Sequence, residues 1–190
     1  MLKFPSGLSS ANSRGPFFVS TDRRIKKGDM VLIELDTYAD GYWSDLTRTY
    51  VAGEPSPKQR EIWDTVLLAE QRAMDAVHGG IKALEIDAIA RSTIEEEGYG
   101  RYFLHWLGHG VGLAFHEPST LHPASEDFLL SGMTHAVEPS ICIPGARWVG
   151  RYEGRRQRAS YVKEGSPLVQ LSARSLKYEI TPSLERFNTK

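Results

Sequence analysis

The chain has 190 residues, of which 41% are hydrophobic and 25% charged, which is typical of one globular domain with a hydrophobic core. Its formal net charge of −1 gives no basic field for nucleic acid or an anionic membrane, and no run approaches the ~20 apolar residues of a membrane span. The single cysteine, Cys142, excludes an internal disulfide framework. We therefore expect a soluble, cytoplasmic protein with no nucleic-acid or membrane partner.

A β-hairpin is the first element that the sequence predicts. The run 30–33 is apolar, and the segment 42–51 is rich in aromatic and β-branched residues, as expected of two strands. Asp40-Gly41 lies between them and suits a tight turn. We predict that the two strands pair through this turn.

Three carboxylates lie along this hairpin. Side chains alternate along a strand, so Glu34 and Asp36 share one face of the first strand. Asp45 on the returning strand is in a position to join them. The alternative interpretation is a solvated strand face with no ligand.

Two amphipathic helices are predicted next. Ser56 is a suitable N-cap for the first, with Pro57 at the first helical position and Gln59 closing a capping box. Its apolar residues recur every three or four positions, and Gly79-Gly80 ends it. The second helix is predicted from about residue 83 to 97, with Gly98 as its stop.

Further strands are predicted in the second half of the chain. Residues 133–138 and the segment at Cys142 are interpreted as a strand pair around Pro139. Late strands are predicted at 161–163 and 168–171.

A glycine-framed histidine is the strongest single candidate for chemistry. It lies in Gly108-His109-Gly110-Val111-Gly112, and His116-Glu117-Pro118 follows. Glycines allow backbone to come close to a ligand, and two nearby histidines suit a metal ligand with a proton donor or acceptor. A hydrogen-bonded core histidine is the alternative.

Two glutamates extend the candidate site. Glu138 follows apolar residues on a predicted strand, where burial is costly unless the carboxylate is paired or binds a cation. Glu153 lies among arginines, so a salt bridge is its alternative role. Several carboxylates with one histidine suit divalent Mn, Co, Fe or Zn.

In this order the motifs resemble the methionine aminopeptidase/prolidase family of metallopeptidases, and the resemblance covers about residues 6–172. Five segments carry it: Ser6-Gly7, similar to an early turn of the family, Gly41-Tyr42-Trp43-Ser44-Asp45-Leu46-Thr47-Arg48-Thr49, the histidine motif above, Val137-Glu138-Pro139 and Gly150-Arg151-Tyr152-Glu153.

The resemblance implies an α+β chain with the pita-bread (creatinase/aminopeptidase) fold. In that fold a curved antiparallel sheet carries helices on its outer face. Residues 1–175 would form a partial metallopeptidase catalytic domain, and residues 176–190 a C-terminal tail. The family has helices and a strand before the Ser-Gly turn, so we expect this chain to lack the first helices of the fold.

The resemblance also implies a dinuclear metal site. Two divalent ions (Mn, Co, Zn or Fe) would activate a water, and their ligands would be Glu34, Asp45, His109, Glu138 and Glu153. As catalytic residues, His116 would stabilise the tetrahedral intermediate and Glu138 would pass a proton to the leaving amine.

The implied reaction is hydrolysis of an N-terminal peptide bond, of the Xaa-Pro aminopeptidase or dipeptidase (prolidase) type. The substrate would be a short peptide with proline at its second position, and a homodimer is left open. The alternatives are a non-catalytic pita-bread module that binds a peptide or protein, and a creatinase-like C–N hydrolase.

The sequence departs from the family pattern near the site. Glu34 falls where the family has its first ligand aspartate, and Asp36 falls where it has glycine. We prefer Glu34 as the ligand, with Asp36 as the alternative if the hairpin is two residues shorter. Arg14 stands near the position of a substrate-binding histidine of the family.

Overall fold

The structure, a computed structural model, describes residues 22–143 and the backbone of three short strands at 6–9, 158–161 and 169–170. Eight strands and two α-helices are described, with a 3-10 turn at Gly100–Tyr102: β1 (Ser6–Ser9), β2 (Met30–Ala39), β3 (Tyr42–Val51), α1 (Pro57–Ala76), α2 (Ala83–Glu96), β4 (Gly108–Gly110), β5 (Glu117–Leu121), β6 (Thr134–Val137), β7 (Arg158–Tyr161) and β8 (Val169–Gln170). Glu153, Arg14 and the predicted tail 176–190 lie outside the described residues. The proposed domain boundaries stay predictions.

The predicted hairpin is confirmed. β1, β2 and β3 form an antiparallel sheet in that order. Asp40 and Gly41 have φ values of 50° and 92°, the left-handed conformations that a tight two-residue turn requires. Ser6 and Gly7, expected in a turn, lie in β1, where Ser6 pairs with Glu34. That expectation was wrong because it rested on a two-residue motif, which carries no information on strand pairing.

Both predicted helices form. The Ser56 side chain accepts a hydrogen bond from Gln59 N at 3.2 Å, and Ser56 N donates to Gln59 Oε1 at 2.8 Å, which completes the capping box. Among the described residues, neither helix is long and apolar enough to cross a lipid bilayer.

A second antiparallel sheet has the strand order β5-β4-β6-β7-β8. The strand predicted at 133–138 is confirmed as β6, and the one predicted at 168–171 is confirmed as β8. The strand predicted at 161–163 shares only its first residue with β7 (Arg158–Tyr161). Of the partner strand predicted at Cys142, the described residues contain a single β-bridge residue, Cys142 itself, and residues 144–157 lie outside them. Pro139 lacks the N–H needed to continue a ladder, and Cys142 N instead donates to the carbonyl of Tyr102 at 2.9 Å.

The hydrophobic core lies between the two helices and the second sheet. α1 packs on α2, α2 on β5 and α1 on β6. Fully buried aliphatic side chains fill the interface, each contributing about 2 kcal/mol by leaving water: Ile62, Ile86, Ile94, Leu121 and Val137. The hairpin joins the second sheet near β4, because Trp43 N donates to the carbonyl of Gly112 at 2.7 Å. That contact sets the two candidate ligand groups side by side.

Candidate metal centre

The three hairpin carboxylates lie together, as predicted. Asp36 is directly opposite Asp45 in the β2–β3 register, and Glu34 is opposite Thr47. Directly opposite residues share a face of the sheet, so the carboxylates project to the same side. One ligand oxygen from each of Glu34, Asp36 and Asp45 lies within 4.8 Å of the others. Asp45 is only 2% exposed, so this is a partly buried cluster and not a solvated strand face.

His109 is held in the middle of β4 between two glycines. A Cβ at Gly108 would lie 1.9 Å from the carbonyl oxygen of Ala136, and one at Gly110 would lie 2.6 Å from that of Pro118. Any side chain at either position would therefore displace a neighbouring backbone. The glycines were expected from the sequence to let a ligand approach the backbone. In the structure, both instead allow neighbouring backbone to pack closely against β4.

The hydrogen bonding of His109 fixes which nitrogen faces the site. Nδ1 lies 2.9 Å from the carbonyl oxygen of Gly110, which can only accept, so Nδ1 carries the proton. Nε2 lies 3.5 Å from Asp45 Oδ2 and 3.1 Å from Glu138 Oε1. In the neutral ring Nε2 presents a lone pair to two carboxylates, an arrangement that a cation between them would stabilise.

The donor set fits a divalent metal. Asp45 belongs to both groups, the hairpin carboxylates on one side and His109 with Glu138 on the other. Its Oδ1 is buried and has no hydrogen-bond partner among the described residues. A buried carboxylate oxygen without a donor is costly unless a cation compensates it. Oxygen donors with a single imidazole suit Mn²⁺, Co²⁺, Fe²⁺ or Zn²⁺.

Aromatic rings form one wall of this site. Trp43 contacts Tyr38 at 5.2 Å and Phe115 at 5.8 Å between ring centroids. Phe115 stacks on His116 at 4.6 Å, and the His116 ring meets His109 edge-on at 4.0 Å. The His116 imidazole therefore lies beside a candidate ligand. Because His116 is exposed, a molecule bound in the site could contact it.

A cavity of about 640 Å³ opens beside these residues. His109, His116 and Glu138 line it, and Phe103, Trp106 and His122 are among its other lining residues. Trp106 is 54% exposed and meets His122 edge-on at 5.4 Å. The cavity therefore combines apolar surface with the candidate ligands, as ligand pockets generally do.

An ion pair on α2 that was not predicted from the sequence supports the histidine strand. Arg91 donates to both carboxylate oxygens of Asp87, at 2.8 and 2.9 Å, and to the carbonyl oxygens of Phe103 and His105. Asp87 Oδ1 also accepts from Leu107 N. The pair thus fixes the segment that leads into β4. Its i,i+4 spacing on α2 was the available signal, although that spacing alone does not distinguish it from a surface ion pair.

A second buried histidine in the same sheet should make the fold sensitive to acid. Burial, together with nearby His109, lowers the pKa of His135 from its ordinary 6.5 to about 4. The unfolded chain therefore takes up this proton at higher pH than the folded chain, so the free energy of unfolding falls as pH drops from 6.5 to 4.

We expect this histidine to cost roughly 3 kcal/mol of stability over that range. Urea unfolding of the wild-type chain and a His135→Leu variant at pH 7 and pH 4 isolates the contribution, because other titrating groups cancel in the difference. Equal losses of stability in both proteins would contradict the assignment.

Comparisons with known proteins agree with this geometry. Residues 2–166 match metallopeptidase family M24. The chain is 48% identical over 136 residues to an Xaa-Pro dipeptidase of Pyrococcus furiosus, a match that takes in 72% of this chain and 39% of that protein. An Xaa-Pro dipeptidase of Pyrococcus horikoshii is 47% identical over 139 residues. The chain thus spans about two fifths of the length of these relatives.

Solved structures confirm the predicted fold. The prolidase from Pyrococcus furiosus superposes with a TM-score of 0.83 at 40% identity, over 90% of this chain and 49% of that one. The dipeptidase PepE from Mycobacterium ulcerans gives 0.85 at 33% identity, over 94% and 46%. The fold is the α+β pita-bread fold of these enzymes. The chain belongs to metallopeptidase family M24.

Proposed function

We propose that this chain carries a metal-dependent peptidase site of the Xaa-Pro dipeptidase (prolidase) type. Its substrate would be a short peptide with proline at the second position. The observation that carries the proposal is the convergence of hairpin carboxylates, His109 and Glu138 around the buried Asp45. The similarity to two Xaa-Pro dipeptidases supports the choice of substrate.

The metal ligands in this proposal are Glu34, Asp45, His109 and Glu138, with Glu153 as a fifth from outside the described residues. Asp45 belongs to both donor groups, which supports two cations and not one. Mn²⁺, Co²⁺, Zn²⁺ and Fe²⁺ all suit such donors. When bound, such ions lower the pKa of a coordinated water toward neutrality and polarise the substrate carbonyl.

The chain's own residues would bind the substrate and move the proton. His116 would donate a hydrogen bond from its imidazole to the carbonyl oxygen of the scissile bond, where negative charge develops. Glu138 would accept a proton from the attacking water and deliver it to the nitrogen of the leaving proline. The edge-on contact between His116 and His109 supports this division of roles, because it sets the donor next to a metal ligand.

The test is proline release by the purified chain loaded with Mn²⁺ or Co²⁺. We expect proline from Ala-Pro and loss of activity after chelation. Ala-Ala serves as the matched substrate without proline, and Ala-Pro-Ala separates a dipeptidase from an aminopeptidase. A folded, metal-loaded chain that cleaves none of these peptides would exclude the proposal and favour a non-catalytic binding module.

A cytoplasmic location and a homodimer stay predictions from the sequence. A creatinase-like reaction that needs no metal is disfavoured by the donor set around Asp45. Chelation distinguishes the two enzymes, since it would inactivate a prolidase and leave a metal-independent hydrolase unchanged.

A further inference from the structure

We propose that Asp36 is a metal ligand in addition to Glu34, so that three hairpin carboxylates hold one divalent cation. The inference rests on the proposed function, because it adds a ligand to the same centre. The sequence offered Glu34 and Asp36 as alternatives, whereas the strand register supports both together.

The register explains how two residues of one strand reach the same ion. Asp36 is directly opposite Asp45, and directly opposite Cα atoms of an antiparallel pair are about 5 Å apart. Glu34 lies two residues along β2, roughly 7 Å further, but its side chain is one methylene longer. The shorter acid thus occupies the near position and the longer acid the far one.

The resulting distances suit a shared cation. Oxygen ligands of one ion at bond lengths of about 2.1 Å lie no more than about 4 Å apart. The oxygens of Glu34, Asp36 and Asp45 lie within 4.8 Å of one another, so small side-chain rotations would complete the set. Three carboxylates this close repel one another, which a bound cation would reverse.

An independent observation at Asp45 points to the same ligand. Within the part of the chain that the structure describes, its Oδ1 is buried without a hydrogen-bond partner, and the residue is 2% exposed. The other oxygen, Oδ2, faces His109 Nε2 at 3.5 Å. Oδ1 is therefore the Asp45 oxygen that would bind a cation together with the carboxylates of Glu34 and Asp36.

A third carboxylate should also change which metal is preferred. The cation held by the three hairpin carboxylates (the hairpin position) would have only carboxylate oxygens from these residues. The second cation position, beside it, would include His109. Hard oxygen donors favour Mn²⁺ or Mg²⁺, and imidazole favours Zn²⁺. We therefore expect the hairpin position to favour Zn²⁺ over Mn²⁺ less strongly than the position that includes His109 does.

The experiment compares Mn²⁺ binding to the wild-type chain and the isosteric variants Asp36→Asn and Glu34→Gln. Equilibrium dialysis followed by elemental analysis reports affinity and stoichiometry without any activity. Asp40→Asn is the matched control, since it removes the same charge from the exposed turn of the same hairpin. Circular dichroism establishes that each variant is folded.

We expect both site variants to weaken the binding of one Mn²⁺ by at least about tenfold, the minimum cost of losing even an indirect partner of a metal. The control should bind like the wild type. If Asp36→Asn also binds like the wild type while Glu34→Gln does not, the inference is overturned and the proposed function stands. If the folded wild-type chain binds no Mn²⁺, both are overturned.

The double variant Glu34→Asp with Asp36→Gly restores the family arrangement and tests selectivity separately. We expect it to keep two metal positions and to favour Zn²⁺ over Mn²⁺ more strongly than the wild type does at one of them. An unchanged preference would count against Asp36 as a ligand.

Discussion

Replacing Asp45 by asparagine is expected to abolish tight binding of divalent metal and to reduce Xaa-Pro hydrolysis by at least roughly 1,000-fold. Asp45 belongs to both donor groups, so its loss weakens both metal positions together. Metal stabilisation of developing charge contributes several kcal/mol, and each 1.4 kcal/mol corresponds to about tenfold in rate. The measurements are metal content after dialysis and kcat/KM on Ala-Pro.

The same substitution should stabilise the metal-free chain. Without a cation, the buried Asp45 carboxylate faces two other carboxylates, and one of its oxygens meets no donor from residues 22–143. Asparagine removes that charge, so we expect a rise in Tm of the chelated protein by about 3 °C for each kcal/mol gained. Asp40→Asn should change neither quantity. Full metal content and activity in Asp45→Asn would contradict the assignment.

Replacing His116 by alanine is expected to lower kcat by about 100- to 1,000-fold, the usual cost of removing one donor to a developing oxyanion. His116 is exposed and lies against the ring of His109, so its loss should not remove a metal ligand. Metal content should therefore stay at the wild-type level. The measurements are steady-state kinetics on Ala-Pro and elemental analysis of the same samples.

His78→Ala is a suitable control for this substitution, because His78 is exposed and the hydrogen bond given for its side chain is to the adjacent Gly79 carbonyl. We expect it to leave kcat unchanged. If His116→Ala lost metal in proportion to activity, His116 would act through the metal centre and not on the substrate.

Local patterns predicted much of this fold. The capping box at Ser56 and Gln59 formed because both of its hydrogen bonds lie within one turn of helix. Asp40-Gly41 predicted its turn because few other residue pairs adopt two positive φ values. Such features depend on neighbouring residues only, so the sequence displays them directly.

Features that depend on distant parts of the chain were harder to predict. Alternation placed Glu34 and Asp36 on one face but could not rank them, since that requires the register against Asp45. The Asp87–Arg91 pair acts on carbonyls 12 and 14 residues away from Arg91, which only the packing of α2 reveals. Gly108 likewise reflects the close approach of the Ala136 backbone on β6.

The most direct test of a metal centre in this chain is its divalent metal content after loading with Mn²⁺ and exhaustive dialysis. We predict two ions per folded wild-type chain and none in Asp45→Asn. A folded wild-type chain that retains no ion would contradict the metal centre and, with it, the proposed peptidase activity.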